Sequence, residues 1–122
     1  MKIRDFMSKD VVMVDENTRV IDAAKIMGEK RIGSVIVTKE GKPYGIFTER
    51  DLLSKAILDN GLDRPVKNYT STPLITVNPD YSINEVSRIM ADMKIRRLVV
   101  VEDDKIVGIF TASDLVRALA KR

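Results

Sequence analysis

The chain has 122 residues, a formal net charge of +3 at pH 7, 32% charged and 44% hydrophobic residues, and neither cysteine nor histidine. These absences exclude disulfides, thiolate or imidazole metal sites and any nucleophile with a His or Cys partner, leaving carboxylates, lysine and tyrosine for acid–base work. The basic excess is too mild to demand nucleic acid, and Phe6, Phe47, Phe110, Tyr44, Tyr69 and Tyr81 are not interleaved with Lys and Arg as a base-stacking platform requires.

The N-terminus, Met-Lys-Ile-Arg-Asp-Phe-Met, has no apolar signal region, and no stretch approaches 18 apolar residues. A soluble cytoplasmic protein with no membrane part is expected. The lack of Cys, Gln and His beside abundant Lys, Arg, Glu, Ile and Val is a thermophile-like bias.

Val11–Val14 is a short apolar run of strand type, followed by the polar turn Asp15-Glu16-Asn17-Thr18. Helical spacing then puts Val20, Ala23, Ala24 and Met27 on one face, with Thr18 as a loose cap candidate. Ser34–Thr38 reads as a buried strand, Glu40-Gly41-Lys42 as a tight turn and Tyr44–Thr48 as a further strand. An amphipathic helix at 49–59 ends at Asn60-Gly61, before the linker Asp63-Arg64-Pro65.

The same order then returns. Leu74–Val77 is strand-like, Asn78-Pro79-Asp80-Tyr81 is a turn, and Ser82 with Glu85 forms a capping box. Ile83, Val86, Met90 and Met93 share a helical face, and the three methionines Met27, Met90 and Met93 are expected in the core. Leu98–Val101, the turn Asp103-Asp104-Lys105, the strand Ile106–Thr111 and a helix at 112–121 complete the chain. Lys30-Arg31, Arg96-Arg97 and Lys121-Arg122 read as solvated surface pairs.

This recurrence is a duplication. Gly45-Ile-Phe-Thr-Glu-Arg-Asp-Leu52 reappears 63 residues later as Gly108-Ile-Phe-Thr-Ala-Ser-Asp-Leu115. The same offset pairs Ser8 with Ser71, Val14 with Val77, Ile32 with Ile95 and Lys42 with Lys105. The repeats are expected at 1–60 and 67–122, with 61–66 as linker. Each alone, at about 55–60 residues, would be marginal, so they are expected to pack on each other around one shared core.

Thr48-x-x-Asp51 and Thr111-x-x-Asp114 admit two readings. As capping boxes they satisfy amides at a helix start and contribute roughly 1 kcal/mol each. As ligand sites they use a strand that runs into a helix N-terminus, where free N–H groups suit a phosphate and a nearby carboxylate suits the hydroxyls of a ribose. Gly45 and Gly108 would permit close backbone approach. Spacing alone leaves both readings open.

With Gly-Ile-Phe-Thr-x-x-Asp-Leu in both halves and Lys94-Ile95-Arg96-Arg97-Leu98-Val99-Val100-Val101 before the second, the chain resembles a tandem pair of cystathionine-β-synthase (CBS) domains, a Bateman module of the stand-alone prokaryotic or archaeal type. The match covers about residues 5–120. It implies an α/β fold of the α+β kind: two pseudo-twofold-related β-α-β-β-α repeats packed through their sheets into one module.

The resemblance further implies a regulatory module, not an enzyme, that binds AMP, ADP or ATP in two clefts between the repeats, with S-adenosylmethionine ranked lower. One site would comprise Val11, Val12, Ile32, Gly33, Arg97, Thr111, Ser113 and Asp114. The second would comprise Leu74, Ile75, Ile95, Arg96, Ser34, Thr48, Arg50 and Asp51. The aspartates would hold ribose, the hydroxyls and Arg97 the phosphate, and the apolar residues the adenine. Arg97 faces Ser34 and Ser113 faces Arg50 across the duplication, so the first site is expected to hold phosphate better. No cofactor or metal is implied; a homodimer and a regulated protein acted on in trans are. The competing readings are a structural or dimerisation module, whose Thr-x-x-Asp pairs only cap helices, and S-adenosylmethionine or nucleic-acid binding.

Overall fold

The structure, a computed structural model, describes residues 1–121. It contains two three-stranded sheets of the same design. In the first, β1 (Met13–Asp15) runs parallel to β2 (Ser34–Lys39), and β3 (Lys42–Thr48) pairs antiparallel on the far side of β2. In the second, β4 (Thr76–Val77), β5 (Arg97–Glu102) and β6 (Lys105–Thr111) repeat that order. The parallel pairs are joined through α1 (Val20–Lys30) and α3 (Ile83–Met93). After β3 and β6 come α2 (Glu49–Asp51) and α4 (Ala112–Ala120).

The turns follow from residue chemistry. Lys39 pairs with Lys42 and Glu102 with Lys105, leaving two-residue loops. Glu40 and Gly41, like Asp103 and Asp104, have positive φ, as a type I′ hairpin demands. Asp15 accepts from Asn17 N and Asn78 from Asp80 N, forming the polar turns before the helices. Ser82 and Glu85 form the expected capping box. Arg31 and Lys94 end α1 and α3 in the left-handed conformation.

Several expectations are corrected. β1 starts at Met13 and β4 at Thr76, although the Val12 and Ile75 carbonyls already accept from Ile36 N and Val99 N. The N-cap of α1 is Arg19, not Thr18; backbone carbonyls of Arg64 and Leu62 take the Val20 and Ile21 amides at 2.9 Å, so no side-chain cap is needed. The first closing helix stops being α-helical at Asp51 and continues as a π-helical turn, Leu52–Ala56, with Ile57 N donating to Leu52 O. Met27 and Met90 are buried, but Met93 in the last turn of α3 is 49% exposed.

The chain divides into two compact units whose bounds differ from those of the repeats. One is Val12–Leu74; the other joins Met1–Val11 to the chain from Ile75 onward. In the first unit the linker residues Leu62 and Arg64 cap α1, and Ser71 beyond them bridges to β3 at Ile46. In the second, Ile83 N donates to Met1 O and Ser8 bridges Ile109 in β6. Segments related by the duplication thus dock in related places.

The buried apolar residues form one cluster in each unit, because each sheet has its own helices over one face. Val14, Val20, Ala23, Met27, Val35, Val37 and Phe47 build the first. Val77, Ile83, Val86, Met90, Leu98, Val100 and Phe110 build the second, together with Ile3. Ile36 points to the opposite face of its strand from Val35 and Val37 and is also fully buried, which explains the continuous apolar pattern of β2.

An ion cluster ties the N-terminal segment down. Arg4 donates to Asp80 through Nε (3.1 Å) and Nη2 (2.9 Å) and reaches Glu102 at 3.0 Å. The Arg4 hydrogen bonds hold the Asp80 carboxyl below its usual range, so its stabilisation is present above the unfolded pKa and lost as pH falls through the lower folded value. Wild type is therefore expected to melt higher than Asp80→Asn at neutral pH, with the gap closing only under acid conditions below about pH 4. A gap that persists at pH 2 in thermal melts would contradict the pair.

Candidate functional site

Thr48 and Thr111 each end the last strand of a sheet and begin the closing helix. Antiparallel pairing places Ser34 opposite Thr48 and Arg97 opposite Thr111. Thr48 Oγ1 accepts from Asp51 N at 3.1 Å, and Asp51 Oδ2 accepts from Thr48 N at 3.0 Å. The second copy repeats this with 3.2 Å for Asp114 N to Thr111 Oγ1 and 2.8 Å for Thr111 N to Asp114 Oδ2. Both motifs are therefore capping boxes, and the capping explanation of the sequence holds.

The amides expected to be free for phosphate are largely engaged. Besides the two cap bonds, Glu49 N donates to Gly33 O at 3.0 Å and Ala112 N to Arg96 O at 2.9 Å. Three of the first four amides at each helix start thus have partners within the chain. Gly33 and Arg96 act here through their main-chain carbonyls.

What capping alone does not require is the treatment of the carboxylates. Asp51 is 5% and Asp114 8% exposed, and both bind further side chains. Lys55 Nζ lies 2.9 Å from Asp51 Oδ1, and Ser71 Oγ donates to Asp51 Oδ1 at 3.1 Å and Oδ2 at 3.3 Å. Arg117 Nη2 donates to Asp114 Oδ1 at 2.6 Å and to the Phe6 carbonyl at 2.7 Å. A nearly buried carboxylate held by a cation and the N-cap amide is preorganised to accept hydroxyl donors.

Of the first predicted set, Arg97, Thr111, Ser113, Asp114 and Val11 lie in the unit that carries α4, while Val12, Ile32 and Gly33 lie in Val12–Leu74. Of the second, Ser34, Thr48, Arg50, Asp51 and Leu74 share Val12–Leu74, while Ile75, Ile95 and Arg96 belong to the other unit. Ser113 and Arg50 are exposed and Ser34 is buried. Val12 and Ile32 pack on the first core cluster, Ile75 and Ile95 on the second. Arg97 lies in β5 and is half-buried, with its own interaction in the chain.

Gly45 and Gly108 do serve close approach, but to the chain itself. A Cβ on Gly45 would meet the Thr70 and Thr72 methyls and Ser71 O; one on Gly108 would meet Met7 Sδ and Ser8 O. Sequence reasoning missed Lys55, Arg117 and Ser71. The first two were detectable as cations four and three residues beyond their aspartates on a helix. Ser71 was visible only as a repeat partner of Ser8.

Fold and site together define a duplicated α+β module, with a Thr–Asp-capped helix closing each repeat. A CBS domain model matches residues 3–57 and again 66–121. The chain is 33% identical, over 93% of its length and 81% of the relative's, to the CBS domain-containing protein YhcV of Bacillus subtilis. A conserved protein of Pyrococcus horikoshii superposes with a TM-score of 0.89 at 36% identity, covering 99% of this chain and 93% of that one. The CBS domain pair of protein MJ0100, solved with 5′-methylthioadenosine and S-adenosyl-L-methionine, superposes at 0.86 with 28% identity, covering 98% and 99% of the two chains. The first three curated relatives are spanned to 81%, 62% and 32% of their own lengths.

The chain belongs to the CBS domain family, as a tandem CBS pair, a regulatory type of module. Among the described residues, no helix is long and apolar enough to cross a membrane.

Proposed function

We propose that the chain binds an adenosine nucleotide, AMP, ADP or ATP, with Asp114 receiving the ribose hydroxyls and Thr111, Ser113 and Arg97 on the phosphate side. A weaker counterpart uses Asp51, Thr48 and Arg50. The observation that carries this reading is the pair of nearly buried carboxylates, each fixed by its own helix start and by a cation. Such a carboxylate suits a vicinal diol, as in dinucleotide folds. Arg97 stands across the ladder from Thr111, where the first repeat has only Ser34. A charge-assisted bond contributes about 1.5–3 kcal/mol, or roughly ten- to a hundredfold in affinity.

Asp114→Ala is accordingly expected to weaken AMP binding by roughly ten- to a hundredfold, and Asp51→Ala by less, in calorimetric titrations. Equal losses, or a larger loss for Asp51→Ala, would overturn the assignment.

The ligands of the MJ0100 pair favour a second reading, binding of S-adenosylmethionine through the same carboxylates. Arg97 and the positive net charge favour an anionic phosphate over a cationic sulfonium. Thermal shift separates the two, since a ligand at a hundred times its Kd adds about 2.7 kcal/mol. A shift with S-adenosylmethionine and none with the nucleotides would transfer the assignment; no shift with any would favour a purely structural module. Output would pass in trans to a partner, through a homodimer whose packing responds to ligand only as far as the ligand discriminates between its states.

A further inference from the structure

The two carboxylates differ in a way the motif does not show. An ionised carboxylate has about four lone-pair positions. Among the described residues, Asp51 receives Thr48 N, Thr48 Oγ1 (3.0 Å), Ser71 Oγ and Lys55 Nζ, which fill all four. Asp114 receives Thr111 N on Oδ2 and Arg117 Nη2 on Oδ1, one donor per oxygen. One position on each oxygen of Asp114 is left for the two hydroxyls of a diol. On Asp51, two hydroxyls of the chain itself, from Thr48 and Ser71, stand where a diol's would.

The local sequence explains the difference. Ser71 is seated by a two-way bridge to Ile46, with Ile46 N to Ser71 O at 3.0 Å and Ser71 N to Ile46 O at 2.9 Å. Ser8 is seated identically on Ile109, with both bonds at 2.9 Å. Yet Ser8 Oγ accepts from the amide two residues on, Asp10 N, at 3.4 Å. Two residues after Ser71 stands Pro73, which has no N–H to offer. With no N–H there to hold its oxygen over the local turn, the Ser71 side chain reaches Asp51 and its hydroxyl donates to the carboxylate.

We infer that Ser71, with Pro73 behind it, is an internal gate that closes the Asp51 position, so that the chain takes one nucleotide, at Asp114. The inference rests on the nucleotide reading above, adds its stoichiometry, and replaces the weaker Asp51 counterpart with a position that is closed in the wild-type chain. Ser71→Ala removes the one hydroxyl proton shared by the two Asp51 oxygens, leaving Oδ1 with Lys55 and Oδ2 with the Thr48 N–H and a Thr48 hydroxyl that can rotate away to admit a diol. Pro73→Ala restores an amide at that place and draws the Ser71 hydroxyl back toward it.

Calorimetric titration with AMP tests this in the full chain. Wild type should bind one AMP per chain, and Asp114→Ala should bind it roughly ten- to a hundredfold more weakly. Ser71→Ala and Pro73→Ala should each bind two, the second event disappearing when Asp51→Ala is added. One AMP in both gate variants, with wild-type binding intact, would overturn the gate and leave the nucleotide reading standing. Two AMP in wild type, one of them lost in Asp51→Ala, would also overturn the gate. Absence of AMP binding in wild type and in both gate variants would overturn the nucleotide reading itself.

Discussion

Phe110→Ala is expected to lower stability by about 3–5 kcal/mol, and Phe47→Ala by a similar amount. Both rings are fully buried, at related positions in the third strand of each sheet. Phe110 pairs with Leu98 in the ladder and Phe47 with Val35, and each joins a different core cluster. Truncation removes the transfer energy of the ring and leaves a hole that rigid β-branched neighbours cannot fill. Since a domain of this size holds only about 5–15 kcal/mol in total, either change removes a large fraction. Urea denaturation is the measurement. A loss below about 1 kcal/mol for either variant would contradict the core assignment, whereas Phe→Leu should cost distinctly less because most of the volume is kept.

Those phenylalanines were legible from the sequence because the repeat marks them twice and the strand pattern marks their face. Helices, hairpins and the duplicated sheets were legible for the same reason: local propensity, turn chemistry and apolar period agree. The docking of residues 1–11 with the unit of Ile75 onward was not. Residues 1–8 and 64–71 are related by the duplication, and so are the places they dock. A groove that accepts one segment suits the other almost as well, so a sequence cannot say which copy is joined. Thr18 failed as a cap because backbone from the linker, distant in sequence, supplied the acceptors. Met93 has the right helical phase but sits in the last turn, beyond the reach of the core.

The site was legible in its motif and not in its balance. Thr48, Asp51, Thr111 and Asp114 fall where the repeat predicts, and their cap bonds match pair by pair. Capping and ligand binding were posed as rivals, yet in the proposed reading the cap bonds hold the carboxylate that receives the ligand. The Thr N–H holds one carboxylate oxygen in place, and a cation from the closing helix aligns the other. Apart from the Thr48 hydroxyl, the difference between the copies comes from residues outside the motif. Lys55 reaches Asp51 from four residues on, Arg117 reaches Asp114 from three, and Ser71 arrives from the preceding segment.

Gly45 couples that segment to the fold, and Gly45→Ala carries the second large expected effect. Its φ is ordinary, so the argument is purely steric. The added methyl would press on the Thr70 and Thr72 methyls and come within 2.9 Å of Ser71 O. Threonine side chains are stiff at χ1, and the Ser71 backbone is held by both bonds to Ile46, so nothing cheap can move. Overpacking of this kind costs about 1–3 kcal/mol, and Gly45→Ala should fall at the upper end. At Gly108 the nearest atom, 2.7 Å away, is Met7 Sδ, on an unbranched side chain that can swing aside, so Gly108→Ala should cost less despite Ser8 O at 2.8 Å. The two variants should also part in function. Relief of the clash at Gly45 moves Ser71 and lifts its hydroxyl from Asp51, so the less stable protein should gain a second AMP. Gly108→Ala leaves the Asp51 hydrogen bonds as they are and should gain none. Urea midpoints and AMP stoichiometry, measured on the same preparations, decide it: a Gly45→Ala protein as stable as wild type would show that the segment is not seated on β3 as described.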